Sequence, residues 1–226
     1  MRLASALLIA ALLSPTSAAA LCEMPITRPV VMTPDVTTAE GGVVVGTQFD
    51  GSSGKEEGDA TQRAWTIKTK TGSVKPTLVE LAPGLVAYQL PAKIDGGELF
   101  DGTKAIAKLA RAKGPSLPLA APAPTKITYK EWPSRRGNSV QVAAVFGAIP
   151  ADAIALVVVD AATKKPRSYG LVTAGALEIP VYYQGRCSAL PNGTSLTSAG
   201  DKVILRWVDK TGVVSADSKP IAVKKI

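Results

Sequence analysis

From residue 30 to the end of the chain, apolar and polar residues alternate in short runs broken by Gly, Pro, Asp and Asn, and helical spacing is scarce. The pattern predicts strands at 43–49, 64–70, 77–81 and 85–90, then a hairpin of 98–100 and 104–110 turning on Asp101-Gly102, a strong two-residue turn pair. Further strands are expected at 126–131, 139–146, 153–160, 168–173, 177–184, 203–209, 213–216 and 220–224. Along 203–208 the alternation sets Val203, Leu205 and Trp207 on one face, and Thr211-Gly212 supplies a turn into the next run. Segment 104–113, KAIAKLARAK, pulls the other way: its residues are good helix formers, Lys104, Lys108 and Arg111 would share a helical face, and Gly114-Pro115 would stop it. A strand is the expectation there, with a helix as the alternative.

Residues 112–124, AKGPSLPLAAPAP, carry prolines at 115, 118, 122 and 124 and no alternation, which reads as an extended linker. The expected fold is therefore all-β, with a β-sandwich domain at 21–111, the linker at 112–124 and an immunoglobulin-like β-sandwich domain at 125–226. Residues 1–20 precede them with Arg2, an apolar run from Leu7 to Leu13, and a small-residue tail ending at Ala20. That is the pattern of a secretory signal peptide, and it implies a secreted or periplasmic protein. No later stretch reaches the roughly 20 apolar residues that a membrane-spanning helix needs.

Export changes how the cysteines are read. Cys22 and Cys187 are the two in the chain, and in an oxidising compartment they are expected to form one disulfide. In the chain-entropy model a loop that long is worth roughly 5 kcal/mol before native strain is subtracted. A lipid anchor on Cys22 is disfavoured because Leu21 stands where a small residue is wanted.

The net charge of +8, from 26 Lys and Arg against 18 Asp and Glu, points toward polyanions. The cations are scattered singly, with short clusters at Lys164-Lys165-Pro166-Arg167, Arg135-Arg136 and Lys224-Lys225. The expectation is a solvated surface and no nucleic-acid partner.

The chain contains no histidine. This excludes Ser-His-Asp and Cys-His nucleophilic machinery and histidine-held zinc, copper or haem, and no metal or cofactor is expected. Ser52-Ser53-Gly54-Lys55 has the S-x-x-K spacing of penicillin-recognising enzymes, and Lys70-Thr71-Gly72 and Lys210-Thr211-Gly212 their K-T-G. The serine lies in a Gly-rich polar loop with no helix after it, so each Lys-Thr-Gly is read as hairpin turn chemistry. Asp50, Glu56, Glu57 and Asp59 gather oxygens around Lys55 in a spacing that matches no calcium loop. The same carboxylates are the one cluster available to a glycoside hydrolase, whose acid and base must be held apart on rigid elements.

Segment 206–223, RWVDKTGVVSADSKPIAV, resembles the closing hairpin and last strand of immunoglobulin-like and fibronectin type III-like modules of bacterial envelope proteins. The resemblance implies a sandwich, a fold that serves adhesins, chaperones, carbohydrate-binding modules and spacers alike.

Aromatic residues are few. Trp65 and Trp207 sit inside strand patterns and are expected in the core. Trp132 stands before Pro133, expected to stop its strand, and near Arg135 and Arg136, which suits a ring stacking on a sugar or a partner. Tyr182-Tyr183 sends one ring to each face of a strand, so one of the two is expected to be exposed. Asn192-Gly193-Thr194 is a glycosylation sequon that matters only in a eukaryote. The expectation is a non-enzymatic envelope protein that recognises a protein or glycan through Trp132, Arg135, Arg136 and an exposed tyrosine. The alternatives are a carboxylate-dependent hydrolase acting on an envelope polysaccharide through Glu56, Glu57 and Asp59, and a pure spacer.

Overall fold

A computed structural model describes residues 26–32, 36–38, 42–50, 65–111, 118–134, 137–184 and 199–226. Every regular element among them is a β-strand, as alternation without helical periodicity requires.

The N-terminal half holds two sheets. One has four strands in the order β1-β3-β7-β6, built from β1 (Ile26–Val31), β3 (Gly42–Asp50), β6 (Thr77–Ala82) and β7 (Leu85–Gln89). The other has five, ordered β2-β9-β8-β4-β5, from β2 (Val36–Thr38), β4 (Thr66–Thr69), β5 (Gly72–Val74), β8 (Gly96–Asp101) and β9 (Lys104–Arg111). Val43, Val45, Val86 and Tyr88 of the first face Ile67, Leu99, Ala107 and Leu109 of the second. Trp65 stacks on Tyr88 at 4.6 Å between ring centres. Segment 104–113 is thus a strand as far as Arg111. Its hairpin partner settles the contest with helix propensity, because β8 pairs along almost its whole length.

The C-terminal half is a seven-stranded sheet folded over on itself, in the order β13-β12-β15-β16-β10-β11-β14. Its strands are β10 (Lys126–Ser134), β11 (Gly137–Val145), β12 (Ala153–Asp160), β13 (Pro166–Leu171), β14 (Glu178–Gln184), β15 (Lys202–Asp209) and β16 (Ile221–Lys225). β16 hinges the fold, pairing parallel with β10 and antiparallel with β15. At the opposite side β13 lies against β14 so closely that a Cβ on Gly170 would run into the Pro180 carbonyl. The enclosed core contains Ile127, Val142, Leu156, Val158, Ile179, Leu205 and Trp207, with Trp207 4.8 Å from Phe146. Leu119 packs against this core and Pro122 is buried, so the end of the proline-rich segment lies on the C-terminal half.

A third apolar layer joins the halves. The outward side chains of β3 and β7, Val44, Leu85 and Ala87, pack on Ala155, Val157 and Val159 of β12 and Ile204 and Val208 of β15. The four-stranded N-terminal sheet is therefore covered on both faces. The turn after β15 docks there too. Gly212 has φ of 81°, and a Cβ on it would stand 3.0 Å from the Ala87 Cβ. The Tyr169 hydroxyl donates to the Gly84 carbonyl at 3.1 Å across the same junction.

Two expectations need correction. The run at 213–216 is not a strand; only Val214 bridges Val208. Serine hydroxyls take over part of the ladder, with the Leu205 and Trp207 amides donating to Ser218 Oγ and Ser215 Oγ, each at 2.9 Å. Pro133 does not stop its strand either, since β10 continues to Ser134 with Pro133 opposite Asn138. The proline is tolerated because β16 pairs no further along β10 than Tyr129, which leaves that side an edge.

Candidate functional site

The folded sheet has two outward surfaces. One, on β12 and β15, is apolar and covered by the N-terminal half; the other, on β10, β11 and β14, is polar and open. Alternation along β10 sends Ile127 and Tyr129 inward and turns Lys126, Lys130 and Trp132 outward. Opposite them on β11, Val140, Val142 and Ala144 are in the core while Gln141 and Val145 face out.

On β14 the register slips between Val142 and Ala143, so that one extra residue is accommodated and the parity of the side chains changes. Val181 and Tyr182 both enter the core, and Tyr183 turns out with 48% of its surface exposed. The bulge decides which tyrosine is available. Burial, with Tyr129 alongside, pushes the Tyr182 phenol above its ordinary range, as a ring removed from solvent requires. Tyr182 is thus a core residue, and Tyr183 is the exposed member of the pair.

Trp132 pairs with Ser139 and Tyr183 with Gln141, so both aromatics project from the same face two positions apart on the shared neighbour β11. Their ring centres are 6.1 Å apart and the planes are tilted by 39°. Trp132 is half-buried. Lys130 and Gln141 lie beside the pair and also line a shallow 250 Å³ depression that runs away from the rings toward Lys126, the exposed Glu178 and Ile226 at the far end of β11. Such a surface offers π-faces for stacking and side-chain donors and acceptors beside them.

The remaining candidates fall elsewhere. Arg135, Arg136, Cys22, Cys187, Glu56, Glu57, Asp59 and residues 1–20 lie outside the described residues, as do Ser52, Ser53, Lys55 and the sequon at 192–194. Glu131, half-buried, accepts a hydrogen bond from Lys225 at 3.1 Å. Both Lys-Thr-Gly segments are turns: Gly72 and Gly212 have positive φ, and the Asp209 carboxylate accepts hydrogen bonds from the Thr211 and Val213 amides. Trp65 and Trp207 are core residues, each 2% exposed.

In the basic cluster at 164–167 the arginine is neutralised. Arg167 is paired with Asp160 and with Asp201, the latter at 3.3 Å, and Lys164 lies 4.0 Å from Asp217. Hydrogen bonds from the Thr163 amide and hydroxyl and from the Ala162 amide, with the Arg167 charge, hold the Asp160 carboxyl below its usual range against the burial that opposes them. Among the described residues no three His, Cys, Asp or Glu side chains are grouped to hold a metal ion, and no helix is long and apolar enough to cross a membrane.

No family model and no curated protein matches the chain. Among solved structures it is similar to a chain described as "Biofilm associated protein - BSP domain", at 14% identity and a TM-score of 0.23. The match covers 88% of this chain and 30% of that one, and a superposition that loose carries nothing about function.

Proposed function

We propose that this protein is a non-catalytic binding protein of the cell envelope that engages a glycan through the open face of β10, β11 and β14. The observation that carries this reading is the Trp132–Tyr183 pair. Residues far apart in the chain bring two rings together at 6.1 Å on a face whose other described side chains are mainly polar, whereas Trp65, Trp207 and Tyr88 are spent on cores. A sugar ring stacks on an aromatic face and satisfies its hydroxyls with neighbours such as Lys130 and Gln141. The leader pattern at 1–20 and the sandwich resemblance of 206–223 support an envelope location.

The test is binding of the full mature chain to soluble neutral glucans and to peptidoglycan fragments, with Trp132→Ala/Tyr183→Ala as the comparison. The double variant should keep its far-ultraviolet spectrum and urea midpoint and lose at least about tenfold in affinity, or roughly 1.4 kcal/mol. Equal binding by both proteins would overturn the site, and release of reducing sugar by the wild type would overturn the non-catalytic reading.

A further inference from the structure

The lysines of the N-terminal half are scattered in sequence, and strand pairing collects four of them. Lys68 on β4 stands opposite Glu98 on β8, and Glu98 stands opposite Lys108 on β9, so the three make one cross-strand row. With adjacent strands about 4.8 Å apart, the two ammonium-bearing positions flank a carboxylate across about 10 Å. Lys70 in the β4–β5 turn and Lys93 in the β7–β8 connection complete the rim of a 980 Å³ groove, which Asp95, Gly96, Gly97 and Thr71 also line. Four lysines therefore face two carboxylates.

The walls of the groove are held. Arg111 donates to the Leu90, Pro91 and Ile94 carbonyls at 3.0, 3.3 and 3.5 Å, and its amide donates to the Asp95 carbonyl at 2.8 Å. This fastens the loop that presents Lys93, while Ile94 packs into the core beneath. In the opposite wall Thr69 Oγ1 donates to the Gly72 carbonyl at 2.8 Å and accepts from the Thr71 amide. The Lys68 ammonium lies 3.9 Å from the Phe100 ring centre, which orders its stem. At Gly97, beneath the groove, a Cβ would meet Ile67 Cγ2 of the core at 2.6 Å and the Lys68 carbonyl at 2.8 Å, so the sheet closes there only on a glycine.

We infer that this groove is a binding site for an acidic polysaccharide, one carrying a carboxylate on its repeating sugar. The lysines supply the charge for the carboxylates, while Asp95 and Glu98 accept from sugar hydroxyls and the Thr71 hydroxyl donates to or accepts from them. A nucleic acid suits it less well. No aromatic residue lines the groove to stack on a base, and two acids within it oppose a phosphate on every nucleotide. The site is separate from the Trp132 face, which belongs to the other half.

The probe is polygalacturonate, with fully methyl-esterified polygalacturonate as the uncharged control and single-stranded DNA as the competing polyanion, titrated against the full mature chain at low and high salt. Wild type should bind the acid form, lose it in high salt, and ignore the ester. Lys68→Gln/Lys108→Gln and, without disturbing the lysine over Phe100, Lys70→Gln/Lys93→Gln should each weaken binding about tenfold while keeping the urea midpoint. Trp132→Ala/Tyr183→Ala should leave it unchanged. Failure of wild type to bind, equal binding of the ester, or tighter binding of DNA would each overturn the inference, as would loss of polygalacturonate binding in the Trp132 variant alone.

Discussion

The C-terminal sandwich turns two surfaces outward, and they differ in kind. The β12–β15 surface carries Ala155, Val157, Val159, Ile204 and Val208 and is sealed under the N-terminal half. The β10–β11–β14 surface carries Lys126, Lys130, Gln141 and Glu178 along its open depression and the Trp132–Tyr183 pair at one end of the strands. Two parts of one sheet, on either side of β16, thus differ: one surface packs on the N-terminal half and the other is left open. The difference is written in the chain as periodicity. β10 reads KITYKEWPS, alternating through its first half, and β12 reads AIALVVVD, almost continuously apolar. A strand wet on one side alternates, and a strand covered on both sides has no reason to.

The sharpest way to break this comparison is a charge on each surface. Val157 is 1% exposed, and Val157→Asp leaves a carboxylate with no partner in an apolar layer, which should cost at least about 3 kcal/mol of folding stability. Lys130→Glu on the open surface should change stability by no more than about 0.5 kcal/mol. Urea midpoints measure both, and a Val157→Asp protein within about 1 kcal/mol of wild type would mean that the sealed layer opens in solution.

A smaller effect tests whether the halves touch where the structure places them. Gly212 holds a φ of 81°, and the methyl of Gly212→Ala would press on Ala87 at 3.0 Å. The backbone penalty alone is about 1 kcal/mol, and the contact adds to it. In a double-mutant cycle with Ala87→Gly the two changes should couple by about 0.5 kcal/mol or more. Strict additivity would show that the turn does not rest on β7.

These particulars also show how far the chain could be read by pattern alone. Strands β3, β4 and β6 to β16 were legible because each has a covered face that imposes apolar positions. The short edge strands β1, β2 and β5 were not, since an edge of three to six residues leaves too few positions for a period to register. The continuous apolar runs at 43–45, 85–88 and 155–159 were visible as strands, but their lack of alternation, the mark of a sheet covered twice, was the unused signal for the layer between the halves. Trp132 stood out from its neighbours, whereas the choice of Tyr183 over Tyr182 depended on a bulge that leaves no trace in the alternation. The lysine groove was hidden more deeply: Lys68, Lys70, Lys93 and Lys108 meet only through the register of three strands and two turns, while the conspicuous cluster at 164–167 has its arginine neutralised by Asp160 and Asp201.

The smallest effect separates the sealed layer from its charged rim. Asp217, beside β15, accepts from Arg206 Nε at 2.5 Å and has Lys164 at 4.0 Å. The Arg206 hydrogen bond, and then the two positive charges, hold its carboxyl below the usual 3.8 against a partly opposing desolvation. A depressed carboxylate stabilises the fold above its unfolded value and loses that contribution as the pH falls through the lower folded one. Because the Asp217 side chain is 38% exposed, solvent screening keeps the contribution under about 1 kcal/mol. Asp217→Asn should therefore be slightly less stable than wild type at neutral pH, with the deficit shrinking toward zero in acid. Val157→Ala should behave otherwise: its side chain meets an apolar layer, so its deficit of about 1 kcal/mol or more should stay constant over the same range. Parallel pH profiles for the two variants would mean that the layer and its rim do not contribute separately, and the division between sealed and charged surfaces would fail there first.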